Sequence, residues 1–516
     1  MQVYYFASSA YFVIFIIFQP ANMYLLGLDI GSSFVKASVI DAESRSTVAV
    51  AHSPEQEMPI SSPHAGWAEQ DPEMWWENTC LAVKKCLDKT VKGREHVKAI
   101  GISYQMHGLV AVDRYQNVIR PSIIWCDSRA IAYGEEAYNK LGREYCTGSL
   151  LNSPGNFTAS KLAWLKDNEP ANFDKIYKVM LPGDYIAMKL SGEIYTTAGG
   201  LSEGVFWDFD EDRISKPLLG HFGFDCGIFP DIIPVFSVQG KLTGRVAESL
   251  GLEKGTPITY RAGDQPNNAF SLDVMEPGEV AATAGTSGVL YGVTEKIMSG
   301  QRPGVNIFAH VNHSHRRKRM GVLACINGTG IMYAWLRRNC CPDLSYDEMN
   351  RMAEAIAPGS DGLVVYPFGN GAERLLENRA PGASFRKLDL NIHSKAHLIR
   401  AVQEGIAYSF KYAFDIMKDT GIALSLIRAG DANMFLSPLF TQLLADLTGA
   451  SVLLYNTDGS VGAARGAGIG AGVYADDNDA FTGVEVIAEV EPCRNTSVVY
   501  SQLYAGWKQD LLEDME

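Results

Sequence analysis

A chain of 516 residues is longer than one hydrophobic core organises, so two large domains or a few small ones are expected. Hydrophobic residues at 47% and charged residues at 20% fit an ordinary globular protein, and a formal charge of −14 argues against nucleic-acid and anionic-membrane partners, which need a basic footprint. The nine cysteines are scattered with no CxxC pair, so neither a disulfide framework nor a zinc site is suggested, and a reducing, cytoplasmic setting is expected.

The first 28 residues carry no charge, and Tyr11 to Phe18 (YFVIFIIF) is an apolar run. That run is too short to span a membrane and has no preceding Lys or Arg of the kind a signal peptide uses. Residues 1–22 read as an extension outside the fold, as an upstream start codon would produce, with a secretory segment as the alternative. From Met23 the stretch LLGLDIGSSFVKASVI (25–40) alternates like a half-buried hairpin around a Gly-Ser-Ser turn. Two readings of Asp29 stand here. It serves the turn through an Asx-type hydrogen bond, or it holds a metal while Gly31, Ser32 and Ser33 meet a phosphate.

In QDPEMWWENTCLAVKKCL (70–87) Asp71 can cap a helix and Pro72 opens it, with Trp76, Cys80, Val83 and Leu87 as one stripe. HVKAIGIS (96–103) reads as a strand, and YQMHGLV (104–110) and IIWCDSRA (123–130) interrupt strand-like runs with polar groups. Strand ends are where open α/β sheets bind ligands. Gln105, His107 and Asp127 offer donors and acceptors for a polyhydroxylated molecule, and Trp125 offers a flat face for its C–H groups. In YRAGDQPNNAF (260–270) Asp264 stands just before a helix N-terminus, where the dipole favours its charged form. It reads either as a helix cap or as a base for a bound alcohol.

VAATAGTSGVLYGV (280–293) repeats the opening hairpin without its acid, so two glycine turns are expected to close on one ligand if the domain is duplicated. HVNHSHRRKR (310–319) reads as a solvated hairpin tip. GLVVYPF (362–368) is strand-like, and Ile399, Val402, Ile406, Phe410, Ala413 and Met417 stripe a long helix stopped by Gly421. Ser437-Pro438 opens another helix that ends at Gly449. The small residues of 450–472 fit a closely packed helix and not a GxGxxG fingerprint. The alternation of strands and helices means an α/β fold.

In order and spacing, LGLDIGSS (26–33), WAEQDPEMWW (67–76), QMHG (105–108), WCDSR (125–129), TASKLAWL (158–165), GDQ (263–265), AGTSG (284–288) and ADLTG (445–449) resemble the FGGY carbohydrate kinases. QMHG and the WAEQDP-type segment point to the branch that phosphorylates D-xylulose. The resemblance implies two actin-like ATPase (ribonuclease H-like) domains, residues 23–275 on the sugar side and 276–480 on the nucleotide side, with the ligand cleft between them and 481–516 as a C-terminal segment. It implies ATP and Mg2+, with Asp29 near the metal and Gly31, Ser32, Ser33, Gly285, Thr286 and Ser287 at phosphoryl oxygens. Gly330, Gly430 and Asn433 match nucleotide contacts. Asp264 matches the catalytic base, with Met106, His107 and Gln265 beside the sugar. The expected partners are a small sugar and ATP, with a homodimer as one expected assembly and no stable membrane association. Two segments depart from the pattern. AGDANMF (429–435) replaces a glycine-rich nucleotide turn, where Asn433 can still adopt a left-handed backbone, and PNNAF follows GDQ where small residues are commoner. Asn156, ahead of TASKLAWL, is also atypical.

Overall fold

The computed structural model describes residues 23–90, 96–296 and 304–515; the N-terminal extension lies outside them. Two large sheets organise the chain. In the six-stranded first sheet the order is Gly240–Lys241, Pro257–Gly263, Val97–Tyr104, Tyr24–Ile30, Val35–Asp41, Thr47–Ser53. In the seven-stranded second it is Val305–Ala309, Met320–Ile326, Gly288–Thr294, Glu279–Ala284, Leu426–Gly430, Ser451–Tyr455, Val486–Val490.

The two sheets share a plan. A hairpin closed by a glycine turn lies at the centre of each: Ile30 pairs with Val35 in the first and Ala284 with Gly288 in the second. Two parallel strands then extend the sheet on the side of the hairpin's first strand. The resemblance of the two hairpins is therefore a duplication of fold, and parallel strands joined through helices are what the α/β alternation required.

The strand Tyr24–Ile30 is buried on both faces, with Leu25, Leu26, Leu28 and Ile30 fully enclosed, and not half-buried as its alternation implied. Helix Pro72–Asp88 covers one side of the hairpin sheet, and helix Gly459–Gly470 lies against the sheet as well. The first of these helices begins as expected, with the Asp71 carboxylate accepting from Glu73 N. Its buried face includes the expected Val83 and Leu87 together with Trp75, Thr79, Ala82 and Cys86, while Trp76 and Cys80 are only partly covered. The helices Lys395–Asp419 and Pro438–Thr448 have the expected stripe and caps, the latter ending in a left-handed Gly449. The C-terminal helix Arg494–Glu513 packs on both.

Two helices join the lobes. Gly459–Gly470 follows a strand of the second sheet and packs against the first, while Asp264–Ser271 follows a strand of the first sheet and touches strands of both. They also touch each other, and Asn267 Nδ2 donates to Gly459 O at 2.8 Å. This is the two-lobed actin-like arrangement, with the cleft where the helices cross. Among the described residues no helix is long and apolar enough to cross a membrane.

Candidate active site

Asp264 is the first residue of its helix and directly follows the strand Pro257–Gly263. It lines a cavity of about 310 Å³ with Asp29, Lys36, Gln265, Ala284, Gly430, Asn433 and Asp458. The end of the first hairpin strand and the base of the second glycine turn thus face the same space as Asp264. Gly459 leaves room for Asp29: a Cβ there would stand 2.7 Å from Asp29 Oδ2. Asp29 also accepts from Ser103 Oγ at 2.9 Å, and Asp458 caps the helix that begins at Gly459, accepting from Val461 N at 3.0 Å.

The electrostatics correct one expectation. Asp264 was expected to stay low in pKa beside a helix N-terminus, but burial pushes its carboxyl up to about 7, with the Asp29 charge adding to the rise. The backbone hydrogen bond at Gln265 and its side chain oppose the shift without cancelling it. Desolvation outweighs the partial charge of one helix end because the carboxylate loses most of its water. Asp29 is raised as well, by burial first, with Asp458 adding to it and Ser103 and Lys36 opposing.

The first glycine turn is held from behind by the WAEQDPEMWW segment. Trp75 Nε1 donates to Gln70 Oε1 at 3.0 Å, and Gln70 Nε2 donates to Ser32 O at 2.7 Å. Gly31 N donates to Phe34 O at 3.0 Å to close the turn. The second turn is capped by a helix: Gly330 N donates to Gly285 O at 2.9 Å and Ile331 N to Thr286 O at 3.0 Å. A Cβ at Gly330 would lie 2.3 Å from Gly285 O, so only glycine fits. A larger cavity of about 570 Å³ opens here, lined by Gly285, Thr286, Gly330, Tyr333, Asn433 and Met434. Asn433 and Ala284 line both cavities, so the two adjoin, each of a size small ligands occupy. Asn433 has φ of 56°, the left-handed backbone expected where glycine is commoner, while Ser287 stays exposed at the turn's tip.

On the other side of Asp264, a Cβ at Gly263 would meet Glu203 Oε2 at 2.4 Å and Met106 Cγ at 2.7 Å, so the QMHG loop lies directly behind the carboxylate's strand. His107 has a left-handed φ of 61°, a strained position for a non-glycine residue that is held by its contacts. Its Nδ1 lies 2.8 Å from Glu203 O, so Nδ1 carries the proton and Nε2 the lone pair. Burial, with help from the Lys161 charge, pushes its pKa down to about 3 and keeps the ring neutral. Lys161 Nζ donates to His107 O and to Ile124 O, both at 2.9 Å, and so ties QMHG to the WCDSR loop. Trp125 is 53% exposed, and its Nε1 reaches Ser32 Oγ at 3.4 Å.

A family description of the FGGY carbohydrate kinases matches residues 24–271 with its N-terminal domain and residues 280–473 with its C-terminal domain. The chain belongs to the FGGY family of carbohydrate kinases. It is a sugar kinase that uses ATP. Among curated relatives, the chain is 30% identical to the xylulose kinase of Staphylococcus xylosus over 78% of this chain and 82% of that one. It is 27% identical to the xylulose kinase of Escherichia coli over 94% and 96%. Among solved structures, the xylulose kinase from Rhodospirillum rubrum superposes with a TM-score of 0.84 at 26% identity, covering 94% of this chain and 98% of that one. A gluconate kinase from Lactobacillus acidophilus has the same fold, with a TM-score of 0.85 at 20% identity over 96% and 99%.

The kinase cleft gathers Asp29, Asp264, Gln265, Gly430 and Asn433 around one cavity and Gly285, Thr286, Gly330 and Asn433 around the next. Gln105 is buried instead, near Gln70 under the first turn. Asp127 is a clearer correction. It is fully buried, and both carboxylate oxygens are engaged: Arg129 donates to them at 2.7 to 3.0 Å, and Ala68 N donates at 2.6 Å. Arg129 in turn reaches Glu69 at 2.7 Å and lies over the Trp67 ring at 3.7 Å. Asp127 therefore anchors the loop that presents Trp125 and does not itself face the cleft. Removing one partner of such a buried pair costs about 3–5 kcal/mol. Asp127→Ala should lower the melting temperature and raise the KM for sugar together, as read by calorimetry and steady-state kinetics; an unchanged melting temperature would refute the anchor.

Sequence reasoning assigned no role to Lys161, Glu203 or Asp458. Lys161 sits inside TASKLAWL, where a lysine within an apolar helical run was itself a signal. Glu203 carried none. The HVNHSHRRKR segment is a solvated tip only over 314–318, since His310 and Val311 are buried, and among the described residues no three His, Cys, Asp or Glu side chains form a metal cage.

Proposed function

We propose that this FGGY kinase transfers the γ-phosphoryl group of ATP to the C5 hydroxyl of D-xylulose, giving D-xylulose 5-phosphate and ADP. The observation that carries the chemistry is the single cavity shared by Asp264, Asp29 and the base of the second glycine turn. What supports the substrate is the likeness to proteins named xylulose kinase across most of the chain.

Asp264 takes the proton from the sugar hydroxyl as the oxygen–phosphorus bond forms. A carboxyl pushed up to about 7 is a better proton acceptor than an ordinary aspartate and is still about half ionised at neutral pH. The transition state is loose, so placement and charge neutralisation carry most of the catalysis. Gly285 and Thr286, fixed by the helix that starts at Gly330, hold phosphoryl oxygens from one side, and the Gly31–Ser33 turn holds them from the other. Trp125 gives the sugar an apolar face.

Magnesium fits the residues present. The ion is usually bound by one or two carboxylates together with substrate phosphates, and Asp29 and Asp458 face the cavity as a mutually repelling pair with Lys36 as the nearby cation. These two side chains would hold it, and it would neutralise charge on the phosphates. Water exclusion on closing the cleft limits ATP hydrolysis.

A coupled assay of ADP release with D-xylulose, D-ribulose, glycerol and gluconate tests this reading. The highest kcat/KM is expected with D-xylulose. A higher value with another member of the panel would replace the substrate, and sugar binding with no ADP from any of them would make the protein a sensor.

A further inference from the structure

Asn350 holds a free donor in the wall of the larger cavity. It sits on helix Tyr346–Glu354, is 7% exposed, and lines that cavity with Tyr346 and Asp347 of the same helix. Its Oδ1 is doubly occupied, with Tyr333 Oη donating at 2.7 Å and Gln403 Nε2 at 3.0 Å, while its Nδ2 has no partner among the described residues. The residue is otherwise buried, so that amide finds an acceptor only in the cavity.

The direction of the amide is fixed from a helix end. Ser437 caps Pro438–Thr448, where its Oγ accepts from Phe440 N at 3.3 Å and donates to Gln403 Oε1 at 2.8 Å. Gln403 therefore turns its Nε2 to Tyr333 Oη at 2.9 Å and to Asn350 Oδ1, and the Tyr333 proton goes to Asn350 Oδ1 as well. All four side chains are buried. The network sets Asn350 with its oxygen inward and its NH2 toward the cavity.

The cavity's length says what meets it. Gly330, Ala334 and Arg338 line it at successive turns of helix Gly330–Cys340, so it runs about 12 Å along that helix from the second glycine turn. Gly285 and Thr286 bound the near end, where Ala284 and Asn433 open onto the Asp264 cavity. Phosphates held at that turn leave the nucleoside to fill the remainder. The walls there are apolar at Ile331, Ala334, Met434 and Leu436, and the Tyr333 and Ser437 hydroxyls are satisfied within the protein. Arg338 and Asp347 are exposed to solvent.

A single buried donor in an apolar wall matches one edge of adenine. On that edge the two ring nitrogens accept, and the carbon between them carries only hydrogen. Guanine has an amino group on the same carbon and would bring donors against the donor, leaving buried N–H groups unpaired. We infer that Asn350 reads the nucleobase, its Nδ2 donating to a ring nitrogen on the C2 edge of adenine and selecting ATP over GTP. The assignment rests on the reading of Gly285 and Thr286 as phosphate contacts and names the residue that recognises the other end of the nucleotide.

The test is calorimetric titration of wild type and Asn350→Asp at pH 8 with ADP, with GDP and with tripolyphosphate, which carries phosphates without a base. Aspartate keeps the oxygen that Tyr333 and Gln403 need and replaces the free NH2 by an acceptor. It should weaken ADP about 10- to 100-fold and GDP less, with tripolyphosphate within about twofold. ADP affinity at the wild-type level overturns the assignment. Equal weakening of ADP and GDP overturns the C2 edge, and equal weakening of ADP and tripolyphosphate overturns a contact with the base. Should the variant not fold, 1-deaza-ADP and 3-deaza-ADP decide the matter on wild type: a comparable loss with one of them supports the contact, and full affinity for both overturns it. Thr286→Ala is titrated alongside. Unchanged tripolyphosphate affinity there would sink the phosphate reading, while the comparison of ADP with GDP still decides Asn350.

Discussion

Asp264→Asn is expected to bind D-xylulose and ATP within about threefold of wild type and to turn over about a thousandfold more slowly, within the range by which a positioned base accelerates proton transfer. Asparagine keeps the shape at the start of its helix but cannot take the proton that the proposed mechanism assigns to Asp264. The pH profile separates this from a loss of fold. The base works only when ionised, and its carboxyl is pushed up to about 7, so wild-type kcat/KM should fall as pH drops through that region. With a cation beside Asp29 the repulsion that helps raise Asp264 is offset, and the limb moves below 7. The variant's residual rate should lose that limb. Stability moves the other way. A carboxyl whose folded pKa is raised favours the folded state when protonated, and that contribution disappears as pH rises through the folded value. At about pH 8 the asparagine variant should thus be as stable as wild type or more so. A near-normal rate, or a rate loss accompanied by collapse of sugar binding, removes Asp264 from the role of base.

The sequence made the frame of this molecule readable and left its electrostatics largely hidden. Caps and stripes of the long helices were legible because Asp71, Ser437, Gly449 and the Ile399-to-Met417 series act through local geometry. The two glycine hairpins were legible because tight turns restrict residue choice. Burial was harder to read. Tyr24–Ile30 alternates like a half-buried strand yet is covered on both faces, because a helix from more than four hundred positions later lies on it. Asp127 looked like a ligand-facing acid because nothing local announces Arg129's double hydrogen bond or the backbone donor at Ala68. The direction of the Asp264 shift was misread for a similar reason. A helix N-terminus can be read from sequence, whereas the water lost by a carboxylate under two lobes cannot.

Gly27→Ala should be among the most damaging single changes in the protein although the residue touches no ligand. A Cβ at Gly27 would lie 1.8 Å from Ser460 O and 2.5 Å from Ala464 N. These are backbone atoms of helix Gly459–Gly470, so no side-chain rotation relieves the overlap, and the helix must lift from the sheet. Overpacking of this kind costs about 1–3 kcal/mol and more where the backbone has to move, so the expected loss is about 3 kcal/mol or greater. The lift also carries activity with it. The same helix begins at Gly459, against which Asp29 Oδ2 is seated, it is capped by Asp458, and it is tied to the Asp264 helix by the Asn267 hydrogen bond. Displacing it moves Asp458 away from Asp29, the two carboxylates that would hold magnesium, so the apparent affinity for the ion should fall in whatever protein remains folded. Gly148→Ala is the matched control, since nothing lies within 4 Å of a Cβ there, and it should be neutral or stabilising by up to about 1 kcal/mol. Thermal unfolding and magnesium titration of the two variants check both parts. Wild-type stability in Gly27→Ala would mean that the helix does not pack on the sheet this closely, and the seating of Asp29 against Gly459 would fall with it.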